Sequence, residues 1–473
     1  MYAKKSLSVS LSVRLSVTRV EQSKTLEVRT ACHRLKIDNP VCMLTECIAQ
    51  QLDRSMRDEV RKTGKRPREA YSDMLSSLPK TVTESTVQAE VVKNLPTFTE
   101  VQAQLCRHRQ VRCTPVPDPL NIPESLQVTL RGRDVDDGDP QKNERFLLYS
   151  GQGGRLLVFC ARTELEALHG SEFVVCDGTF EMCPDTAYQL YTLRGFQHDE
   201  VMPLAFALLP NKTRSTYEEM FQAIRDGLNA EFGNTGAIST FLIDFEAAAI
   251  NALKTVFPGA VVKGCSFHFR QAILRRVQQE GLKANYEDST DPTVHNWIRH
   301  LMSMTALPAF TVPLIWPWLK CPPATGNAST DTKLQELSAY VDRTWINGDF
   351  KPDLWTHFDN NGPRTTNHAE GFHSSLNSRF DVPHPSLRTF LDWLQKLQFE
   401  VQCRGIQLAS GRPAKRRRAE YVENDGRLWE AKVAFGRRIA SIFSYLFPHP
   451  RAWDELRLES ERYLGHCSHM LGC

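Results

Sequence analysis

Phe173-Val174-Val175-Cys176-Asp177-Gly178-Thr179-Phe180 is a short apolar run, rich in β-branched and aromatic residues, that leads into a carboxylate. Such a run reads as a buried strand. The same design recurs at Thr240-Phe241-Leu242-Ile243-Asp244-Phe245-Glu246. A third acid, Glu370, stands in Thr365-Thr366-Asn367-His368-Ala369-Glu370-Gly371-Phe372-His373. Strands that each deliver a carboxylate build a cluster of hard oxygen ligands, which suits Mg²⁺. Two such ions about 3.5–4 Å apart serve in-line displacement at a phosphodiester, so the pattern points to phosphoryl transfer on nucleic acid. Each acid also has a plainer reading. Asp177-Gly178 is a hairpin-turn dipeptide, Asp244 can cap the helix that starts after Glu246, and Glu370 stands three residues after Asn367 in capping-box spacing.

Working outward, 172–176, 189–196 and 202–209 read as three strands of an antiparallel meander. After them come an amphipathic helix over 217–228, a buried strand over 238–243, a helix over 247–256, a strand over 260–265 and a basic helix over 269–279. Strands in a run followed by strand–helix alternation imply an α/β class: a mixed sheet covered by helices. Between His268 and Glu370 the pattern is helical and carries Trp297, Trp316, Trp318, Trp345 and Trp355. An all-helical insertion packed by its tryptophans is the economical reading; the alternative is that one indole stacks on an unpaired base.

The stretch from about 173 to 400 resembles the catalytic domain of Mutator-like element (MULE) transposases. The resemblance rests on Cys176-Asp177-Gly178-Thr179-Phe180, Tyr188-Gln189-Leu190-Tyr191-Thr192 and Pro203-Leu204-Ala205-Phe206-Ala207-Leu208-Leu209. It continues in Tyr217, Asp244-Phe245-Glu246, Gly264-Cys265-Ser266-Phe267-His268-Phe269 and Asn367-His368-Ala369-Glu370-Gly371-Phe372-His373. It implies a DDE transposase with a ribonuclease H-like fold, in which Asp177, Asp244 and Glu370 hold Mg²⁺ or Mn²⁺, as two ions. It also implies DNA as substrate, both element ends and target, and a homodimer or higher oligomer on DNA. Cys265 and His268 form Cys-x-x-His, a motif that recurs in MULE and hAT transposases and places His268 beside the catalytic centre. A satisfied core histidine is its structural alternative. Zinc is not expected there, since a structural site needs four ligands and no second pair has comparable spacing. The rival function is a domesticated, non-cleaving DNA-binding or regulatory protein that keeps the fold.

The expected organisation is a divergent N-terminal region over 1–95, with a low-complexity leader and a basic helix, and a linker and lead-in over 96–150. The first part of the core spans 151–280, the helical insertion 281–365, and the final core helices with Glu370 366–402. A basic linker over 403–425 and a helical tail over 426–473 follow. Leu7, Val9, Leu11, Val13, Leu15 and Val17 alternate with serine or arginine, a period-two segment read as a strand or as low complexity. Relatives often begin with a zinc-binding DNA reader, but Cys32, His33, Cys42 and Cys47 fit no such spacing. Weak, salt-sensitive and sequence-tolerant DNA binding is the expectation, with preference supplied by a missing N-terminal exon or a partner subunit.

The chain has 473 residues and a net charge of +3, too small to announce a nucleic-acid binder. DNA contacts are therefore expected at local patches: Lys62, Lys65, Arg66 and Arg68, and Lys415, Arg416, Arg417 and Arg418. The second patch also has the form of a nuclear-import peptide, so the nucleus is the expected location. Thirteen scattered cysteines are read as reduced thiols. No apolar run approaches the roughly 18 residues that span a bilayer, so no membrane role is expected. His466, Cys467 and His469 are read as part of a frayed terminus.

Overall fold

The computed structural model describes residues 40–63, 65–82, 85–105, 122–130, 144–180, 183–184, 186–198, 200–366, 384–415, 418–446, 449 and 451–471. Seven strands form one sheet: β1 Leu147–Gly151, β2 Leu156–Phe159, β3 Phe173–Thr179, β4 Gln189–Gln197, β5 Glu200–Leu209, β6 Thr240–Ile243 and β7 Val261–Gly264. Their order is β1-β2-β5-β4-β3-β6-β7. The meander β3-β4-β5 is antiparallel, while β6 and β7 run parallel to β3. This is the ribonuclease H-like mixed sheet expected, extended beyond β5 by the hairpin β1-β2.

β2 is buried at every position, and the end of β5 is equally apolar. Strands buried on both faces need cover, and helices supply it. The helices before the sheet are α1 Pro40–Thr63, α2 Pro67–Thr81, α3 Ser85–Asn94 and α4 Phe98–Leu105. Those interleaved with the sheet are α5 Arg162–His169, α6 Arg214–Phe232, α7 Ala247–Val256 and α8 Ser266–Gln279. In α6, Thr213 caps the Thr216 amide and Gly233 ends the helix at φ 78°, a left-handed stop that glycine adopts without a Cβ penalty. Tyr217, Phe221, Ile224 and Leu228 repeat at helical spacing and are buried in the sheet core.

After α8 the chain is helical through α9 Thr293–Ser303, α10 Val312–Leu319 and α11 Ala328–Val341, which runs into a π-helical turn at Asp342–Ile346. Trp297, Trp316, Trp345 and Trp355 are buried in this insertion's core, as expected of packing residues; Trp318 is half-buried against it. Beyond Thr366 the described chain resumes in α12 Leu387–Ala409, α13 Ala419–Ser441 and α14 Arg451–Met470. Phe390 and Leu394 of α12 join the sheet core, whereas Phe399 and Cys403 join the core of α1–α4. That one helix therefore ties the N-terminal helices to the sheet.

α13 and α14 share the insertion's core through Leu428, Phe435, Ile439, Leu456, Tyr463 and Cys467. The Phe435 and Tyr463 rings stack at 4.2 Å, and the Tyr463 hydroxyl donates to the Ala306 carbonyl at 2.9 Å. The expected fraying of the terminus is corrected here. Cys467 and Ser468 are buried on α14, because the helix seals an apolar face that the insertion leaves open. No described helix is long and apolar enough to cross a membrane. The leader over 1–39 lies outside the described residues.

Candidate active site

Strand register brings the first two acids together. β3 and β6 are parallel neighbours with Val175 opposite Leu242, so Asp177 and Asp244 each stand two positions further along and on the same face. Neighbouring strands lie about 4.8 Å apart. Asp177 is inside β3, paired with Thr192, and Gly178 is paired with Tyr191. The hairpin-turn reading of Asp177-Gly178 therefore fails, and Gly178 has another use: a Cβ there would meet the Gln189 side-chain amide. Asp244 does not cap α7, whose N-cap is Glu246 without a side-chain hydrogen bond.

β7 continues the register, with Gly264 opposite Ile243. Cys265 therefore follows beside Asp244, and α8 begins at Ser266. His268 sits in the first turn of α8 with Nδ1 2.6 Å from Asp244 Oδ1. Asp244, Cys265 and His268 are the group of possible metal ligands found among the described residues. The Cys265 sulfur is engaged otherwise: it accepts from the Thr366 amide at 3.3 Å and the Thr366 hydroxyl at 3.4 Å.

The acids open into a cleft of about 370 Å³, lined by Asp177, Asp244, Glu246, His268, Lys212, Arg275 and Gln189. Tyr340, Thr344, Trp345 and Phe350 of the insertion supply the opposite wall. Trp345 meets Phe245 edge-on at 4.6 Å. Burial, then the charge of Asp244, pushes the Asp177 carboxyl up to about 7, against the pull of Arg194. The Arg194 guanidinium is buried with Nη1 4.0 Å from Asp177 Oδ2. Burial lowers its pKa to about 10, so it stays cationic at neutral pH. Burial works against the His268 cation, but the hydrogen bond to Asp244 and then the contact with Cys265 outweigh it and raise its pKa to about 10. Without metal, a His268 cation thus balances the Asp244 carboxylate.

Sequence reasoning missed several participants. Arg194 could have been noticed as a lone cation inside the apolar strand Gln189–Gln197. Glu246 accepts from the Tyr217 hydroxyl at 2.9 Å and pairs with Lys212 at 3.3 Å, while Tyr217 also donates to Gln189 at 2.8 Å. Tyr217, Gln189 and Glu246 stand in the stretches that carry the resemblance, but their contacts join α6, β4 and the loop before α6, and no spacing announces the pairing.

Glu370 lies outside the described residues, so its ligand and capping-box readings are not distinguished. The chain that leads to it is firmly placed. Lys263 Nζ donates to the carbonyls of Asp353 (2.8 Å) and Thr356 (2.9 Å), and His357 Nε2 to that of Gly264 (2.8 Å). The Ser266 amide donates to the Arg364 carbonyl at 2.9 Å. Of the basic patches, Lys65 pairs with Asp73 at 2.6 Å, and Arg68 lies 3.7 Å from Glu400 and over the Phe98 ring. Arg66 immediately precedes α2, at its N-cap position. The Lys415 amide donates to Glu200 Oε2 at 3.0 Å, and Arg418 stands at the N-cap of α13. The Lys62 side chain, Arg416 and Arg417 are outside the described residues, as are Cys32 and His33. The described cysteines are free thiols.

No curated protein matches the chain. A family model described as the MULE transposase domain matches residues 173–272, which run from β3, through Asp177, Asp244 and His268, into α8. Residues 173–272 thus carry the hallmarks of a Mutator-like transposase domain.

Proposed function

We propose that the protein is a DNA transposase that cleaves element ends and transfers them to target DNA, with Asp177, Asp244 and Glu370 as ligands for Mg²⁺ or Mn²⁺. The observation that carries this reading is the β3–β6 register, which sets Asp177 and Asp244 side by side on one face over a cleft. The donors fit hard divalent ions. Asp177 is held near neutrality by burial and by the charge of Asp244, and a bound dication would relieve both. Glu370 follows Thr366 by four residues, and four residues span at most about 14 Å. Thr366 itself is buried against Cys265, beside Asp244.

Two bound ions would activate the attacking hydroxyl group and neutralise charge at the phosphoryl oxygens. The protein's own residues do the rest. Asp177 and Asp244 would hold the ions from the sheet, the buried Arg194 would anchor Asp177, and His268 would orient Asp244. Hydrolysis at the element's end would free a 3′-hydroxyl, which would then attack a target phosphodiester in the same site, joining to its phosphate and releasing the target strand's own 3′-hydroxyl. Assembly on DNA as a homodimer or larger oligomer, and nuclear import through the run from Lys415 to Arg418, belong to the same proposal.

The test is thermal melting with and without Mg²⁺ or Mn²⁺. The wild type gains melting temperature by mass action, and Asp244→Asn gains less. Equal gains in both would remove Asp244 from the ligand set.

A further inference from the structure

Single exposed apolar side chains need no explanation, but two aromatic rings beside the acid-bearing cleft do. Phe180 is 41% and Tyr188 54% exposed, and the rings meet edge to face with centroids 5.5 Å apart. Phe180 directly follows β3, three residues after Asp177, and Tyr188 directly precedes β4. Phe180 lines the cleft. Both rings are positioned by the sheet: the Tyr188 amide donates to the Leu209 carbonyl at 2.8 Å, and the Phe180 carbonyl accepts from the Cys183 amide at 3.3 Å. Cys183 is buried between them, and its carbonyl is bonded to His384 Nδ1 at 3.0 Å.

Charge accompanies the rings. Lys212 Nζ is 4.4 Å from the Phe180 centroid and also pairs with Glu246. Arg275 is exposed and lines the same cleft. Aromatic faces beside cations match a nucleotide, whose base is flat and apolar and whose phosphate is anionic.

We propose that Phe180 and Tyr188 form a stacking shelf for an unpaired base next to the scissile phosphate, with Lys212 reaching the adjoining backbone. This rests on the transposase reading of the same cleft. Bases inside a duplex are already stacked on their neighbours, so only a nucleotide that has left the helix offers a free face. Phenylalanine brings no hydrogen-bonding group, so the shelf takes any base. Its occupant is therefore a frayed or single-stranded end, not a sequence.

The test uses the full chain, Ca²⁺ in place of Mg²⁺ to limit cleavage, and a duplex with a three-nucleotide overhang carrying 2-aminopurine. A blunt duplex with the same base inside is the comparison. Wild type should change 2-aminopurine fluorescence only in the overhang. The Phe180→Ala/Tyr188→Ala double variant should lose that change and bind the overhang DNA about tenfold more weakly, with blunt-end affinity unaltered. Phe180→Trp should keep both. An unchanged signal in the double variant, or equal loss on blunt DNA, overturns the shelf. Metal-dependent melting reads the catalytic proposal separately: a wild type that ignores Mg²⁺ yet stacks the overhang base sinks that proposal and leaves the shelf standing.

Discussion

Burial and a neighbouring carboxylate act together on Asp177. Its carboxyl is pushed up to about 7 by burial first and Asp244 second. A raised folded pKa means that the native protein holds this proton where the unfolded chain has released it. Its stabilising contribution is complete below about pH 4 and is lost as pH rises through about 7. Metal-free Asp177→Asn should therefore escape this loss, with a melting-temperature advantage at pH 8 of roughly 1 °C for each kcal/mol relieved in a chain of this length. The advantage should shrink at pH 5, and Mg²⁺ should abolish it by stabilising the wild type alone. An Asn variant that tracks the wild type across pH 5–8 contradicts the account of this site. The sequence revealed Asp177, Asp244 and His268 because each sits in a short local motif. It hid Arg194 and Lys212, because a buried charge network is assembled from strands and loops far apart in the chain.

At the scale of elements, the junction of β7 and α8 does more than carry His268. Lys263, Gly264, Cys265 and Ser266 each bind the returning segment 353–366, by side chain or backbone. Cys265→Ala leaves the buried Thr366 amide without its acceptor, a loss of about 1–3 kcal/mol. Thr366→Val removes only the hydroxyl, so about 1 kcal/mol is expected. Denaturant unfolding separates the two; a larger loss in the valine variant would mean that the sulfur is not the clasp. Periodicity located β3 to β7 and α6 to α8 to within a few residues, because these elements are apolar on repeating positions. The sequence reading starts the sheet at residue 172, whereas the structure starts it at Leu147. Leu147–Gly151 and Leu156–Phe159 are short strands, and their turn through Gly153 and Gly154 resembles a linker.

Among the described residues, the buried apolar side chains gather in three cores. α12 joins the N-terminal helices to the sheet, and α13 and α14 close the insertion. The insertion's tryptophans were legible as packing residues, since large indoles in a helical stretch need a core. The docking of α13 and α14 was not, because nothing in a local pattern says which distant face a helix will cover. Through Lys432, whose amine donates to the His357 carbonyl, α13 also braces the segment that leads to Glu370. The cleft thus gathers acids from the sheet and Trp345 from the insertion.

The account stands or falls on metal-dependent cleavage. The most direct measurement incubates the full chain with Mg²⁺ or Mn²⁺ and DNA bearing the repeats that flank the gene, scored for nicks and joined products. Wild type should yield both, and chelation should abolish them. Glu370→Gln keeps size and capping ability, so it should fold normally while cleavage falls by orders of magnitude, tenfold for each roughly 1.36 kcal/mol of lost transition-state stabilisation. Near-normal cleavage by the glutamine protein, or cleavage that survives chelation, would contradict the assignment of Asp177, Asp244 and Glu370 as one metal-binding triad.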